Sequence, residues 1–299
     1  MAFLAKTHGV QVLRGLEYGR AIVDAGSAPR ERALLLDAYL PEARAPGERS
    51  PALVLAFGGA FHRGTRADDA FEVNGSTSTA IAEYCAEFAR RGYACFSIDY
   101  RLMQEDPDPG VTPAMGDPEA IPRSRVDEVR RMFGLPPATN QMLWRGIEGA
   151  IDDGAMAIRW VHAHAARFAI DTTRVAVGGW SAGARVMIHA AFAERAPAAA
   201  VVCLSGYMDP LDMQRYITGA PRDPPLFVSW GTQDLDYVLA QGPRFRAHLA
   251  KLGLRHLCLE MPGITHFHPR TTPVTLPDGR ASTLEEAIAG FLHEALRLG

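Results

Sequence analysis

The sequence predicts an α/β protein with a mainly parallel central sheet and helices on both faces. Short apolar runs of strand length alternate with amphipathic stretches of helix length over most of the 299 residues. The apolar runs are continuous rather than alternating, as strands buried on both faces require. Parallel neighbours need long crossover connections, and the intervening helical stretches supply them.

The elements follow in order. ERALLLDAYLP (31–41) reads as a strand closed by a proline, and PALVLAF (51–57) as a buried strand running into Gly58-Gly59. STAIAEYCAEFARR (78–91) places Ile81, Tyr84, Cys85 and Phe88 on one helical stripe. GYACFSIDYRL (92–102) returns to a strand. Residues 147–168 carry Ile151, Ile158, Val161 and Ala165 at helical offsets. RVAVGG (174–179) is a strand and SAGARVMIHAAFAER (181–195) a helix. AAAVVCLSG (198–206), PPLFVSWG (224–231) and RHLCLEMPG (255–263) add three strands, the last two separated by a helix. TLEEAIAGFLHEALRL (283–298) closes the chain as an amphipathic helix. Met103 to Arg145 breaks the rhythm and is too long for an ordinary loop. It is expected to be a cap-like insertion over the strand ends, within a single domain spanning 1–299.

Composition narrows the function. A 47% hydrophobic and 22% charged chain is ordinary for a globular protein. A net charge of −3 without a Lys/Arg cluster argues against nucleic acid, which needs a basic face. No stretch reaches about 20 apolar residues, so no membrane span is expected. MAFLAKTHGVQVLRG lacks the pattern of a signal peptide, which makes a cytoplasmic location the expectation. Cys85, Cys95, Cys203 and Cys258 form no C-x-x-C pair and read as buried free thiols, the last three in apolar, strand-like runs. Self-association into a homo-oligomer is left open.

The chemistry centres on GWSAG (179–183). It follows a buried strand and precedes a helix, the strand–turn–helix setting that a nucleophile elbow requires. Gly179 and Gly183 suit a turn that brings neighbouring backbone close. Such a turn exposes the Ser181 hydroxyl at the strand's carboxyl end and aims the Ala182 amide beside it, at a helix N-terminus. Serine needs a base. GTQD puts Asp234 just past one strand, and PGITHFH puts His266 past the last, on the same sheet edge as Ser181. His266 would take the serine proton and Asp234 would orient the imidazole. Asp236 and His268 are the rivals at each position. His162 and His164 lie two apart on a helix and do not face one site. His266-x-His268 lacks the accompanying ligands of a metal pair. FGGAFHRG (57–64) follows a strand where a second oxyanion donor loop belongs, with Gly59 and Ala60 as donors.

These motifs resemble those of the α/β-hydrolases of the carboxylesterase/lipase group, over roughly residues 30–298. LAFGGAF resembles that family's H-G-G-G-[FW] segment, SIDYRL its D-Y-R strand end, GWSAG its elbow, and GTQD and GITHF its acid and histidine loops. The resemblance implies the α/β-hydrolase fold, a Ser181–His266–Asp234 triad and no cofactor. The family's leading His is Phe57 here and its third glycine is Ala60. Trp180 before the serine points toward the small carboxylesterase and feruloyl-esterase-like branches. The expected activity is hydrolysis of a small-molecule carboxylic ester through an acyl-enzyme. A peptidase or amidase on the same triad, or a ligand-binding relative without turnover, are the alternatives. Phe61, Trp180, Trp144 and Tyr207 are expected to touch substrate. Met132, Phe133, Leu135, Met142, Leu143 and Trp144 of the insertion are expected to form one pocket wall. Asp99 and Arg101 are expected to pair as a structural ion pair.

Overall fold

A computed structural model describes residues 3–299 except 44, 46, 111 and 112. Strands β1 (Val10–Val23), β2 (Arg30–Pro41) and β3 (Ser50–Ala56) are followed by a small hairpin, β4 (Glu72–Val73) and β5 (Ser76–Thr77). Helix α1 (Ile81–Arg90) leads to β6 (Ala94–Ile98). The insertion then carries α2 (Ser124–Met132) and the start of α3 (Asn140–Ala163), which runs on to α4 (Ala165–Phe168). The second half alternates: β7 (Ile170–Trp180), α5 (Ala182–Phe192), β8 (Ala200–Leu204), α6 (Pro210–Tyr216), β9 (Leu226–Gln233), α7 (Asp236–Leu252) and β10 (His256–Thr265). A hairpin of β11 (Pro273–Thr275) and β12 (Ala281–Thr283) precedes α8 (Leu284–Ala295).

The main sheet has eight strands in the order β1-β2-β6-β3-β7-β8-β9-β10. From β6 to β10 every pairing is parallel, and β2 joins β6 antiparallel. Every residue of β3, β6 and β8 is buried. Complete burial means that both faces are covered, which explains why those segments read as unbroken apolar runs. Because these strands are parallel, the residues just after β3, β7, β8, β9 and β10 share one edge, where ligands bind in sheets of this kind.

β1 has no counterpart in the sequence reading. Its 14 residues mix charged and apolar side chains, all but Tyr18 and Val23 are exposed or half-exposed, and two register shifts interrupt its pairing with β2. An edge strand with bulges keeps no clean period to read.

The expected Asp99–Arg101 pair is not formed. Arg101 turns to α3, where its backbone amide and Nε donate to Asp153 at 2.8–3.1 Å. Asp99 instead accepts from Arg66 Nη1 at 2.7 Å. Asp153 is fully buried on the helix and needs a cation there, whereas Asp99 faces the loop after β3.

The insertion packs on the sheet edge by residues other than those expected. Met132 and Phe133 are 61% and 56% exposed, and Leu135 is exposed too, because they sit at the far end of α2 and in the turn beyond it. Leu143 is wholly buried in the core, and Trp144 packs half-buried against it. The inner face of α2 is Arg125, Val126, Val129 and Arg130. Cys85, Cys95 and Cys203 are buried free thiols and Cys258 is half-buried.

Candidate active site

Ser181 stands between β7 and α5 with φ 55° and ψ −118°, a left-handed conformation that a residue with a Cβ adopts at a cost. Its neighbours hold it there. The Ser181 amide donates to Leu204 O of β8 at 2.8 Å, and the Arg185 amide donates back to Ser181 O. The flanking glycines are sterically required. A Cβ on Gly183 would lie 2.1 Å from Ala56 O and 2.4 Å from Phe57 O; one on Gly179 would lie 2.5 Å from Ala56 O. The start of α5 is thus pressed against the end of β3.

His266 Nε2 lies 2.8 Å from Ser181 Oγ, and His266 Nδ1 lies 2.6 Å from Asp234 Oδ1. A carboxylate only accepts, so Nδ1 carries the ring proton and Nε2 accepts from the serine hydroxyl. Asp234 also accepts from the Leu235 amide at 2.7 Å and from Ser205 Oγ at 2.7 Å. Burial pushes its carboxyl up, but the charge of and hydrogen bond from His266, with the bonds from Ser205 and Leu235, hold it below the usual carboxylate range. Ser181 is half-exposed, whereas His266 and Asp234 are buried.

The rivals lie elsewhere. Asp236 is exposed at the first turn of α7. His268 is buried with Nε2 3.1 Å from Ser205 Oγ, and burial first, then the charge of His266, pushes it down to about 4 against the pull of Asp234. It is therefore neutral near pH 7 and braces Ser205. His162 and His164 bond to backbone carbonyls of Pro197 and Trp160, away from the site.

The loop after β3 turns through three successive positive φ values, 120° at Gly59, 55° at Ala60 and 60° at Phe61. A Cβ on Gly59 would meet Arg63 O at 2.1 Å. Asp69 anchors the loop by accepting from the Gly58 and Ile81 amides at 3.2 and 2.6 Å. Phe57, where the resembling family carries His, stacks on Tyr100 with ring centres 4.4 Å apart, and Tyr100 Oη donates to Phe57 O.

A narrow cleft opens beside Ser181. Of the site residues read from the sequence, Ala60, Phe61, Ala182 and Tyr207 line it, and Gly59, Trp180 and Trp144 do not. Trp180 backs the histidine loop instead: its Nε1–H donates to His266 O at 3.2 Å and its ring centre lies 5.1 Å from the imidazole's. Trp144 packs on the core within α3. The insertion's contribution to the wall comes from Ile121, Pro122, Arg125 and Val126, with Ile147 of α3. Sequence reasoning missed these, and also Arg185, Ser205 and Tyr237. Two signals were available. Ser205 immediately follows β8 at the shared carboxyl edge, and Arg185 lies one helical turn beyond Ser181.

Comparison with known proteins agrees with this architecture. Residues 146–218, from α3 through the elbow to α6, match a family model described as alpha/beta hydrolase fold. No curated protein matches the sequence. Among solved structures, esterase 2 of the planctomycete Thermogutta terrifontis phosphonylated by cyclosarin is 21% identical, with a TM-score of 0.55, over 86% of this chain and 84% of that one. The same esterase with propionate bound is 21% identical, with a TM-score of 0.54, over 86% and 85%. Its native form is 20% identical, with a TM-score of 0.53, over 86% and 83%. With its sheet order, elbow and connections, the chain has the α/β-hydrolase fold.

Proposed function

We propose that the protein is a cofactor-free serine hydrolase of small carboxylic esters. The observation that carries this reading is the continuous hydrogen-bonded line from Ser181 through His266 to Asp234, assembled from three loops at one sheet edge. In this reading Ser181 Oγ attacks the ester carbonyl while His266 Nε2 takes its proton. The tetrahedral oxygen is held by amides of the Gly59–Ala60 turn and of Ala182 at the N-terminus of α5. The carbonyl re-forms, His266 protonates the departing alcohol, and Ser181 is left acylated. Water then gives a proton to His266 as its oxygen attacks the acyl carbonyl; the bond to Ser181 Oγ breaks, His266 returns the proton to Oγ, and the acid leaves. Asp234 stays ionised throughout and stabilises the imidazolium. The narrowness of the cleft suits a short ester. Solved structures of the Thermogutta esterase carry propionate and butyrate, which fits the same size range.

The test is turnover of p-nitrophenyl esters of graded acyl length, with fluorophosphonate labelling of the serine. Ser181→Ala should abolish labelling and lower kcat by on the order of a million-fold, as when one member of such a unit is lost. Retention of a tenth of the activity would remove Ser181 as nucleophile. Turnover of p-nitroanilides in preference to esters would make the protein an amidase, and an unlabelled wild type would make it a binding protein.

A further inference from the structure

The cleft beside Ser181 is lined by two arginines, Arg125 and Arg185, and its lining residues include no carboxylate. The two are not equivalent. Arg125 already has a counter-ion: its Nη1 lies 2.5 Å from Glu128 Oε2, and its guanidinium sits over the Phe267 ring. Arg185 is 4% exposed, and its described side-chain partners are neutral. Nη1 donates to Tyr207 Oη, Nη2 approaches Met115 Sδ at 3.5 Å, and the guanidinium stacks over the Tyr207 ring at 4.7 Å. Its buried Nε–H has no partner.

A buried guanidinium without a counter-charge is costly, and a buried donor left unpaired adds to the cost. Packing alone would be served better by an apolar side chain of the same length. The fork geometry of arginine matches one ligand group above others, a planar carboxylate bound through two parallel hydrogen bonds. Arg185 follows Ser181 by four residues on α5, so it lies about 6 Å further along the helix axis. That spacing brings its charge within reach of a short substrate whose carbonyl is at Ser181.

Resting on the serine-hydrolase reading, we propose that the ester this cleft takes bears a free carboxylate a few bonds from the scissile carbonyl, as in the half-ester of a short dicarboxylic acid, and that Arg185 binds it. Arg185 then sets specificity by charge, and the apolar residues Phe61, Ile121 and Val126 confine the chain between the two carbonyl groups.

The experiment compares p-nitrophenyl hemiglutarate with p-nitrophenyl valerate, which has the same acyl chain length without the charge. In the wild type the ratio of kcat/KM, charged over neutral, should exceed one by about tenfold, the worth of a charge-assisted bond. Arg185→Met should bring the ratio to one or below, and Arg185→Lys should keep part of it. A wild-type ratio of one or less overturns the proposal without any variant, as does a ratio that Arg185→Met leaves intact. Glutarate binding to full-length Ser181→Ala, followed by calorimetry, separates this proposal from the one beneath it. Binding without turnover in the wild type would sink the hydrolase reading and keep the carboxylate site. Turnover of valerate without glutarate binding would do the reverse.

Discussion

Ser205 Oγ donates to Asp234 Oδ2 at 2.7 Å, on the carboxylate oxygen that His266 does not use. Ser205 follows β8 with φ 45°, a left-handed conformation, and takes a second contact from His268 Nε2 at 3.1 Å. Asp234 is thereby fixed from both sides, and the plane of its carboxylate is set for the imidazole. Ser205 is a positioning residue for the Ser181–His266–Asp234 line.

Ser205→Ala should therefore lower kcat by about tenfold while KM changes little, since a hydrogen bond to a charged group is worth about 1.5–3 kcal/mol. Ser205→Thr keeps the hydroxyl and should recover most of the loss. Steady-state kinetics on one short ester decides it. An equal loss in both variants, or a rise in KM alone, would reduce Ser205 to packing.

His268 makes stability depend on pH in a defined window. Burial lowers its pKa to about 4 in the folded chain, against an ordinary value near 6.5. Between these values the unfolded chain binds a proton that the folded chain refuses, so stability falls as pH drops from about 6.5 to about 4, by on the order of 3 kcal/mol, and falls no further below that. Asp69 and Asp152, pushed up to about 7 chiefly by burial, act with the opposite sign over the whole of the same range. Comparison with His268→Gln cancels them. Urea unfolding at pH 7.5 and 4.5 should show the wild type losing ground to the variant at the lower pH. A constant difference would mean that His268 does not titrate as its burial implies.

Gly183 and Gly290 are both helical glycines in opposite surroundings. A Cβ on Gly183 collides with Ala56 O and Phe57 O, whereas nothing lies within 4 Å of one on Gly290 in α8. Gly183→Ala should destabilise by about 1–3 kcal/mol or more through overpacking, and disturb the elbow. Gly290→Ala should stabilise by up to about 1 kcal/mol through helix propensity and a less free unfolded chain. Melting temperatures and ester turnover of the two variants check this together; Gly183→Ala with full activity would show that the elbow has slack.

What was legible in the sequence is what periodicity and local spacing encode. The buried parallel strands announce themselves because covered faces demand apolar residues at every position, and the elbow because Gly179 and Gly183 are needed within five residues of chain. Asp234 and His266 could be placed because both immediately follow strands whose direction the alternating pattern sets. Contacts made across the fold leave no such mark. Arg101 meets Asp153 across 52 residues rather than Asp99 across two. Ser205 looks like any small residue at a strand end until His268 and Asp234 converge on it. In the insertion, apolar clustering at Met132–Phe133 suggested a wall, but the orientation of α2 turns those residues outward and Val126 inward. One-dimensional clustering does not report which face of a short helix meets the sheet.

That orientation gives the last prediction. Val126 and Ile121 line the cleft beside Ser181, while Phe133 is 56% exposed at the end of the same helix. Shortening a wall residue enlarges the space available to the acyl chain, and a methylene in an apolar pocket is worth roughly 1–3 kcal/mol. Val126→Ala and Ile121→Ala should thus shift the preferred p-nitrophenyl ester toward longer chains, with kcat/KM for the longer ester rising relative to the shorter by about tenfold. Each also removes buried methyl groups, so the melting temperature should fall modestly. Phe133→Ala should leave both the ranking and the melting temperature near wild type, because its side chain meets mostly solvent. The measurement is kcat/KM across the graded ester panel for the three variants, beside their melting temperatures. If Phe133→Ala changes the ranking and Val126→Ala does not, the inner face of α2 is not the wall that meets the substrate, and the insertion must reorganise when substrate binds.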